Sequence, residues 1–156
     1  MGVEIERKFR VQGDAWRESA RAQHFVQGYL ALGPPISVRV RIMGDEATLN
    51  LKQSTLDIER MEFEYGIPVV DARELLDTSI VGNTVEKNRY TIEYEGHCWE
   101  VDEFLGANEG LVVAEIELTH RDESFVNPDW LGDEVSHDPR YLNSNLAEKP
   151  FLTWKD

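Results

Sequence analysis

Along much of the chain, apolar and charged residues alternate at every second position. Residues 3–9 read V-E-I-E-R-K-F, with Glu4, Glu6 and Lys8 on one parity and Val3, Ile5 and Phe9 on the other. Residues 38–42 set Arg39 and Arg41 against Val38, Val40 and Ile42, and residues 48–52 set Asn50 and Lys52 against Leu49 and Leu51. Residues 60–65 place Arg60, Glu62 and Glu64 opposite Met61, Phe63 and Tyr65. Further on come Lys87 and Arg89, then Glu100 and Asp102 around Val101, then Glu115 and Glu117 around Ile116. Successive strand side chains point to opposite faces, so each segment predicts a half-buried β-strand. Residues 25–32 and 90–94 are further candidates, the second continuing the Lys87 segment. Seven or eight strands, separated by Gly33-Pro34-Pro35, Met43-Gly44-Asp45 and Glu95-Gly96, predict an antiparallel meander or barrel.

Helices are fewer. Residues 14–23 predict a short amphipathic helix with Ala15, Trp16, Ala20 and Ala22 among charged residues. Residues 71–80, between Pro68 and Gly82, predict another that packs Leu75, Leu76 and Ile80 inward. Asp138-Pro139 has the order of an N-cap followed by proline at the first helical position, which predicts a C-terminal helix over about 139–147. A further helical turn is expected at 128–131. With no repeat, low-complexity stretch or linker, residues 1–156 are expected to form one α+β domain dominated by an antiparallel sheet.

Composition narrows the class. At 156 residues, 41% of them hydrophobic, the chain can bury a core and is too apolar for a disordered segment. It lacks both the ~20-residue apolar run of a membrane span and the apolar start of a secretory signal. The single Cys98 excludes an internal disulfide and a cysteine-based zinc cage. A cytoplasmic protein is therefore expected. The 16 Lys and Arg against 30 Asp and Glu, net −14, disfavour nucleic acid and anionic lipid as partners. A small anionic ligand remains compatible if the basic residues are gathered in one place.

The alternation gathers them. Seven cations (Lys8, Arg39, Arg41, Lys52, Arg60, Lys87 and Arg89) share strand faces with eight anions (Glu4, Glu6, Glu62, Glu64, Glu100, Asp102, Glu115 and Glu117), so almost all of the net charge lies elsewhere. The ordinary reading of such faces is solvated surface. Here, however, they consist of ionised groups with few Ser, Thr or Gln, and the signs segregate by segment. Like charges two residues apart stand about 7 Å from each other. At the effective dielectric near protein they repel by ~2 kcal/mol per pair. A divalent cation relieves the carboxylate pairs and a polyanion relieves the Arg/Lys pairs, so a metal-bound polyphosphate satisfies both. Mg²⁺ or Mn²⁺ suits oxygen ligands. None of His24, His97, His120 and His137 pairs at ligand spacing. There is no Gly-rich phosphate loop, so side chains would hold the phosphates.

These segments, in order, resemble the triphosphate tunnel metalloenzymes of the CYTH superfamily, in particular its small bacterial members. The E-x-E-x-K signature stands at 4–8, followed by V-R-V-R at 38–41, L-N-L-K at 49–52 and E-R-M-E-F-E at 59–64. K-N-R at 87–89, W-E-V-D-E-F at 99–104, A-E-I-E-L at 114–118 and V-S-H-D-P-R-Y-L-N-S-N-L-A at 135–147 complete the set. The resemblance implies a closed eight-stranded antiparallel β-barrel, or tunnel, with a charged lumen and flanking helices. It also implies that Lys8, Arg39, Arg41, Lys52, Arg60, Lys87 and Arg89 bind phosphate. Glu4, Glu6, Glu115 and Glu117 would hold Mg²⁺ or Mn²⁺, with Glu62 and Glu64 as further candidate ligands, and Lys8, Lys52 and Glu6 would be catalytic.

The activity so implied is metal-dependent hydrolysis of inorganic tripolyphosphate to pyrophosphate and phosphate. Nucleoside or thiamine triphosphatase and an adenylyl cyclase of the same fold are the alternatives. A non-catalytic polyphosphate binder fits less well, because it gains little from six glutamates. Expected partners are the small-molecule triphosphate and, as a candidate, a second copy of the chain. Four positions stay open on sequence grounds: Tyr29 packs the barrel or faces the lumen, Asp102 is lumenal or pairs an arginine, and Arg140 and Tyr141 cap the tunnel or brace its outside.

Overall fold

The computed structural model describes residues 2–18 and 21–154. Its strands are β1 (Val3–Val11), β2 (Arg21–Ala31), β3 (Ile36–Met43), β4 (Glu46–Gln53), β5 (Glu59–Ile67), β6 (Val81–Tyr94), β7 (His97–Phe104), β8 (Val112–Leu118) and β9 (Leu131–Glu134), with helices α1 (Val69–Thr78) and α2 (Asn143–Glu148). Hydrogen bonding runs β5-β4-β3-β2-β6-β7-β8-β1 and returns to β5, so eight strands close a barrel and β9 adds outside it. Each pairing is antiparallel. The seam pairs Val3 with Met61, Glu4 with Arg60 and Ile5 with Glu59, after which β1 turns the same edge to β9.

The apolar parity explains where the core lies. Phe9, Ile92, Trp99, Val101, Ala114, Ile116 and Leu118 point outward from the barrel and are covered by Trp16, Trp130 and Leu131. Val40, Ala47 and their neighbours are covered by α1. Each such large side chain contributes roughly 1.5–3 kcal/mol on burial. The third cluster is different. On β6, β7 and β8 the inward parity changes from charged to apolar at Val85, Phe104 and Val113, which pack with Tyr141, Leu146 and Ala147 of the C-terminal segment. One end of the tunnel is therefore plugged. The plug sits close: Gly82 has φ +74°, and a Cβ there would fall 2.6 Å from the Ala147 carbonyl oxygen.

Two helices expected from sequence are corrected. The helix expected over 14–23 is not found: among the described residues Ala15–Arg17 makes a 3-10 turn and β2 begins at Arg21, while Ser19 and Ala20 lie outside the described residues. Trp16 is buried edge-on to Tyr90, and pairing with the far end of β6 (Arg21 with Thr91, His24 with Asn88) draws the following residues into the sheet. The helix expected over 139–147 breaks at Leu142, which is extended, leaving a 3-10 turn at Pro139–Tyr141 and then α2. Asp138 does cap the first piece, accepting from the Arg140 amide at 3.0 Å. The break has a cause in the lumen. The Tyr141 carbonyl accepts from Lys8 Nζ at 3.0 Å rather than from an amide one turn on. At 128–131 a single turn, closed by Leu131 N–H to Pro128 C=O, leads directly into β9, a strand without alternation. Its Gly132 lets the backbone approach Arg10, where a Cβ would stand 3.0 Å from the carbonyl oxygen. Among the described residues no helix is long and apolar enough to cross a membrane.

Candidate functional site

The inward faces enclose a cavity of about 590 Å³. β1 contributes Glu4, Glu6 and Lys8; β3 Arg39 and Arg41; β4 Lys52; β5 Arg60, Glu62 and Glu64; β6 Lys87 and Arg89; β7 Glu100; and β8 Glu115 and Glu117. Every phosphate-binding and metal-binding candidate chosen from sequence therefore lines one cavity. The register explains it: Lys8 stands opposite Glu115, Glu6 opposite Glu117, Lys52 opposite Glu62 and Arg89 opposite Asp102.

The acidic half is crowded. Burial pushes Glu6 well above the ordinary carboxylate range, and the nearby Glu115 charge raises it further. Burial also raises Glu4, against the pull of Lys52, and raises Glu117, where Glu4 adds to it. Glu115 behaves oppositely. Burial alone would raise it, but Lys8 and Arg89 hold it well below its usual value. Lys52 lies 3.1 Å from Glu4 and 3.5 Å from Glu62, and although burial disfavours its charge, Glu6, Glu4 and Glu62 keep it protonated.

The cationic half rests on Phe25, which the alternation did not single out, and on Asp102, which it did. Phe25 lies beneath three cations, with Arg41 Cζ 4.8 Å, Arg89 Cζ 5.0 Å and Lys87 Nζ 5.8 Å from its ring centre. Asp102 is buried under them and shared: Arg89 donates to it from Nε at 2.8 Å and from Nη2 at 2.9 Å, and Lys87 donates at 2.8 Å. It is thus a paired anion behind the cavity wall. Burial lowers Lys87 to about 7 against the pull of Asp102, and Arg89 and Arg41 add to the lowering. Arg41 is lowered to about 9 by burial and then by Arg39 and Arg89, and still carries its charge at neutral pH. Arg39 Nε and Arg60 Nε are buried without hydrogen-bond partners.

The donor set fits a hard divalent ion. All of the candidate ligands are carboxylates, and the buried Glu4 Oε1 faces the Lys52 ammonium at 3.1 Å. Among the described residues no three His, Cys, Asp or Glu side chains are grouped so as to hold an ion by themselves. This agrees with the habit of Mg²⁺ of taking one or two carboxylates and completing its shell with water and substrate phosphate oxygens.

Several functional positions escaped sequence reasoning. Gln27, fully buried, accepts from Arg41 Nε at 3.0 Å, and Asn143, at the start of α2, receives Lys87 Nζ at 3.1 Å. Phe25, Gln27 and Tyr29 occupy one parity of β2, and the available signal was this two-residue spacing next to V-R-V-R. Tyr29 lines the cavity while its ring packs with Val85 and Tyr141. Arg140 faces outward, paired with Asp138 and lying over Trp154, and Tyr141 is buried in the plug. Cys98 is exposed.

A family model described as the CYTH domain matches residues 2–149. The inorganic triphosphatase of Acetivibrio thermocellus is 49% identical over 156 residues, covering 100% of both chains. That of Nitrosomonas europaea is 37% identical over 149 residues, covering 93% of this chain and 97% of its own. A crystal structure of an inorganic triphosphatase superposes with a TM-score of 0.68 at 35% identity, over 92% of this chain and 96% of that one.

Proposed function

The chain belongs to the CYTH domain family, and we propose that it is a metal-dependent inorganic triphosphatase that hydrolyses tripolyphosphate to pyrophosphate and orthophosphate. The observation that carries this reading is the cavity wall itself, with all seven candidate cations and all six candidate glutamate ligands facing one space. Arg39, Arg41, Arg60, Lys87 and Arg89 bind phosphate oxygens, the arginines through their planar forks. Arg39 and Arg60 each bring a buried, unpartnered Nε to the task. Lys8 and Lys52 meet the substrate from the acidic side.

Glu4, Glu6, Glu115 and Glu117 would hold Mg²⁺ or Mn²⁺, with Glu62 and Glu64 beside them. When bound, such an ion neutralises phosphate charge and lowers the pKa of a ligated water. Water adds to a terminal phosphorus, the bond to the bridging oxygen breaks, and pyrophosphate leaves. Glu6 orients the attacking water. Lys52, kept charged by its three glutamates, stabilises the leaving oxygen, and Lys8 shares that role. Fixed cations that face the spreading negative charge need no covalent intermediate.

The test is phosphate release from tripolyphosphate and from ATP with Mg²⁺, Mn²⁺ or EDTA, in wild type and Glu6→Gln. Rapid release from tripolyphosphate, abolished by EDTA and lost in the variant, is expected. Absence of phosphate from tripolyphosphate would overturn the reading, and cyclic AMP from ATP would replace it with the cyclase.

A further inference from the structure

The plug does more than close the tunnel. Asn143 Oδ1 accepts two hydrogen bonds, from Lys87 Nζ at 3.1 Å and from Gln27 Nε2 at 2.9 Å. The other end of the Gln27 amide, Oε1, accepts from Arg41 Nε at 3.0 Å. Arginine can only donate, so the Gln27 oxygen must face Arg41, its NH₂ must face the Asn143 oxygen, and each amide has a single workable orientation. The chain Lys87–Asn143–Gln27–Arg41 is therefore polar and directional, buried at Lys87, Gln27 and Arg41 and half-buried at Asn143, which lines the cavity.

Its effect on the two cations is specific. Once protonated, as it is with a polyphosphate bound, Lys87 has three donors. Asp102 takes one from Lys87 and Asn143 a second, which leaves one for the cavity. On Arg41 the relay occupies Nε, on the edge facing Gln27, and no hydrogen bond to a described residue engages the two terminal nitrogens. Each cation is thus fastened from behind with its remaining donors free.

We propose that Asn143, acting with Gln27, is a positioning residue that presets Lys87 and Arg41 for the phosphate chain, so that the C-terminal segment contributes to substrate affinity. The inference rests on the triphosphatase reading for its ligand. A purely structural role for Asn143 makes a different prediction, because α2 has a second tether: Asn83 Nδ2 donates to the Ala147 carbonyl at 3.1 Å, on the strand side and away from both cations.

The experiment compares wild type, Asn143→Ala, Gln27→Met and Asn83→Ala in tripolyphosphate hydrolysis and in calorimetric binding, with thermal melts to show that each is folded. Asn143→Ala and Gln27→Met should each raise KM about tenfold, the scale of a lost hydrogen bond to a charged group, with kcat changed less than about threefold. The double variant should cost less than the two single effects combined, as expected of one relay. Asn83→Ala should lower the melting temperature and leave KM unchanged. Wild-type KM in both relay variants, or an equal rise in Asn83→Ala, overturns the proposal. If wild type neither binds nor hydrolyses tripolyphosphate, the functional reading fails separately. Crystal structures of the variants then decide the relay: displaced Lys87 and Arg41 side chains support it, and unmoved ones overturn it.

Discussion

The guanidinium of Arg41 lies 4.8 Å from the ring centre of Phe25, a buried aromatic whose face also meets Arg89 and Lys87. Three like charges converge there, countered by the buried Asp102 and by Glu115, which accepts from Arg89 Nη2 at 3.1 Å. The negative face of the ring supplies part of the missing compensation without filling any donor, and the two terminal nitrogens of Arg41 keep no hydrogen bond to a described residue.

Replacing Phe25 with leucine keeps the site apolar and removes the quadrupole. Cation–π attraction is worth about 0.5–2 kcal/mol, so Phe25→Leu should raise KM for tripolyphosphate roughly 3–10-fold. Steady-state kinetics on the folded variant check this. An unchanged KM would show that the ring serves only as packing.

Lys87 gives a pH signature. Its folded pKa, lowered to about 7 from 10.5 by burial and then by Arg89 and Arg41, means that between those values the unfolded chain holds a proton the folded one lacks. Stability from this group therefore rises with pH across that window. A bound polyphosphate reverses the balance and recharges the amine. At pH 8, binding should take up about one more proton in wild type than in Lys87→Met. Calorimetry in two buffers of different ionisation enthalpy reads the difference, and equal uptake in both proteins would sink the assignment.

The eight barrel strands and the cavity lining were legible because both follow from a period of two, and closing the sheet sends one whole parity inward. What stayed hidden lacked a period. β9 has only four residues, and its place depends on the exposed half of the β1 edge. Residues 14–18 carry a helical pattern, but the burial of Trp16 and the length of β6 decide their path. Gln27 and Asn143 are neutral, and 116 positions apart; nothing local ties either to a cation until the plug brings them to 2.9 Å. The break at Leu142 is likewise set by a tertiary contact, that of Lys8 with the Tyr141 carbonyl.

Outside the barrel, Trp99 tests the inverted core. It is fully buried, edge-on to Phe9, Phe125 and Trp130, and its indole N–H has no partner. Trp99→Ala should lose about 3–5 kcal/mol. Trp99→Phe keeps an aromatic ring and removes a buried donor whose desolvation costs about 1–3 kcal/mol, so it should lie within about 1 kcal/mol of wild type. Urea denaturation separates the two, and equal losses would mean that the N–H is satisfied in solution.

Glu6 shows how the site trades stability for function. It is buried, its charge is disfavoured first by that burial and then by Glu115 and Glu4, and only Lys52 opposes this. Glu6→Gln removes one charge from the cluster. In EDTA at pH 8 it should stabilise the protein by about 1–2 kcal/mol, the scale of one close like-charge repulsion, or roughly 2–8 °C in Tm. Mn²⁺ should reverse the ranking. An ion that binds only the folded state at a hundred times its Kd adds about 2.7 kcal/mol, and if Glu6 is a ligand, as proposed, the variant should gain far less. Thermal melts of both proteins with EDTA and with Mn²⁺ therefore cross: the variant melts higher without metal and lower with it. If the variant melted lower under both conditions, Glu6 would be a structural ion-pair partner of Lys52 and not a strained ligand.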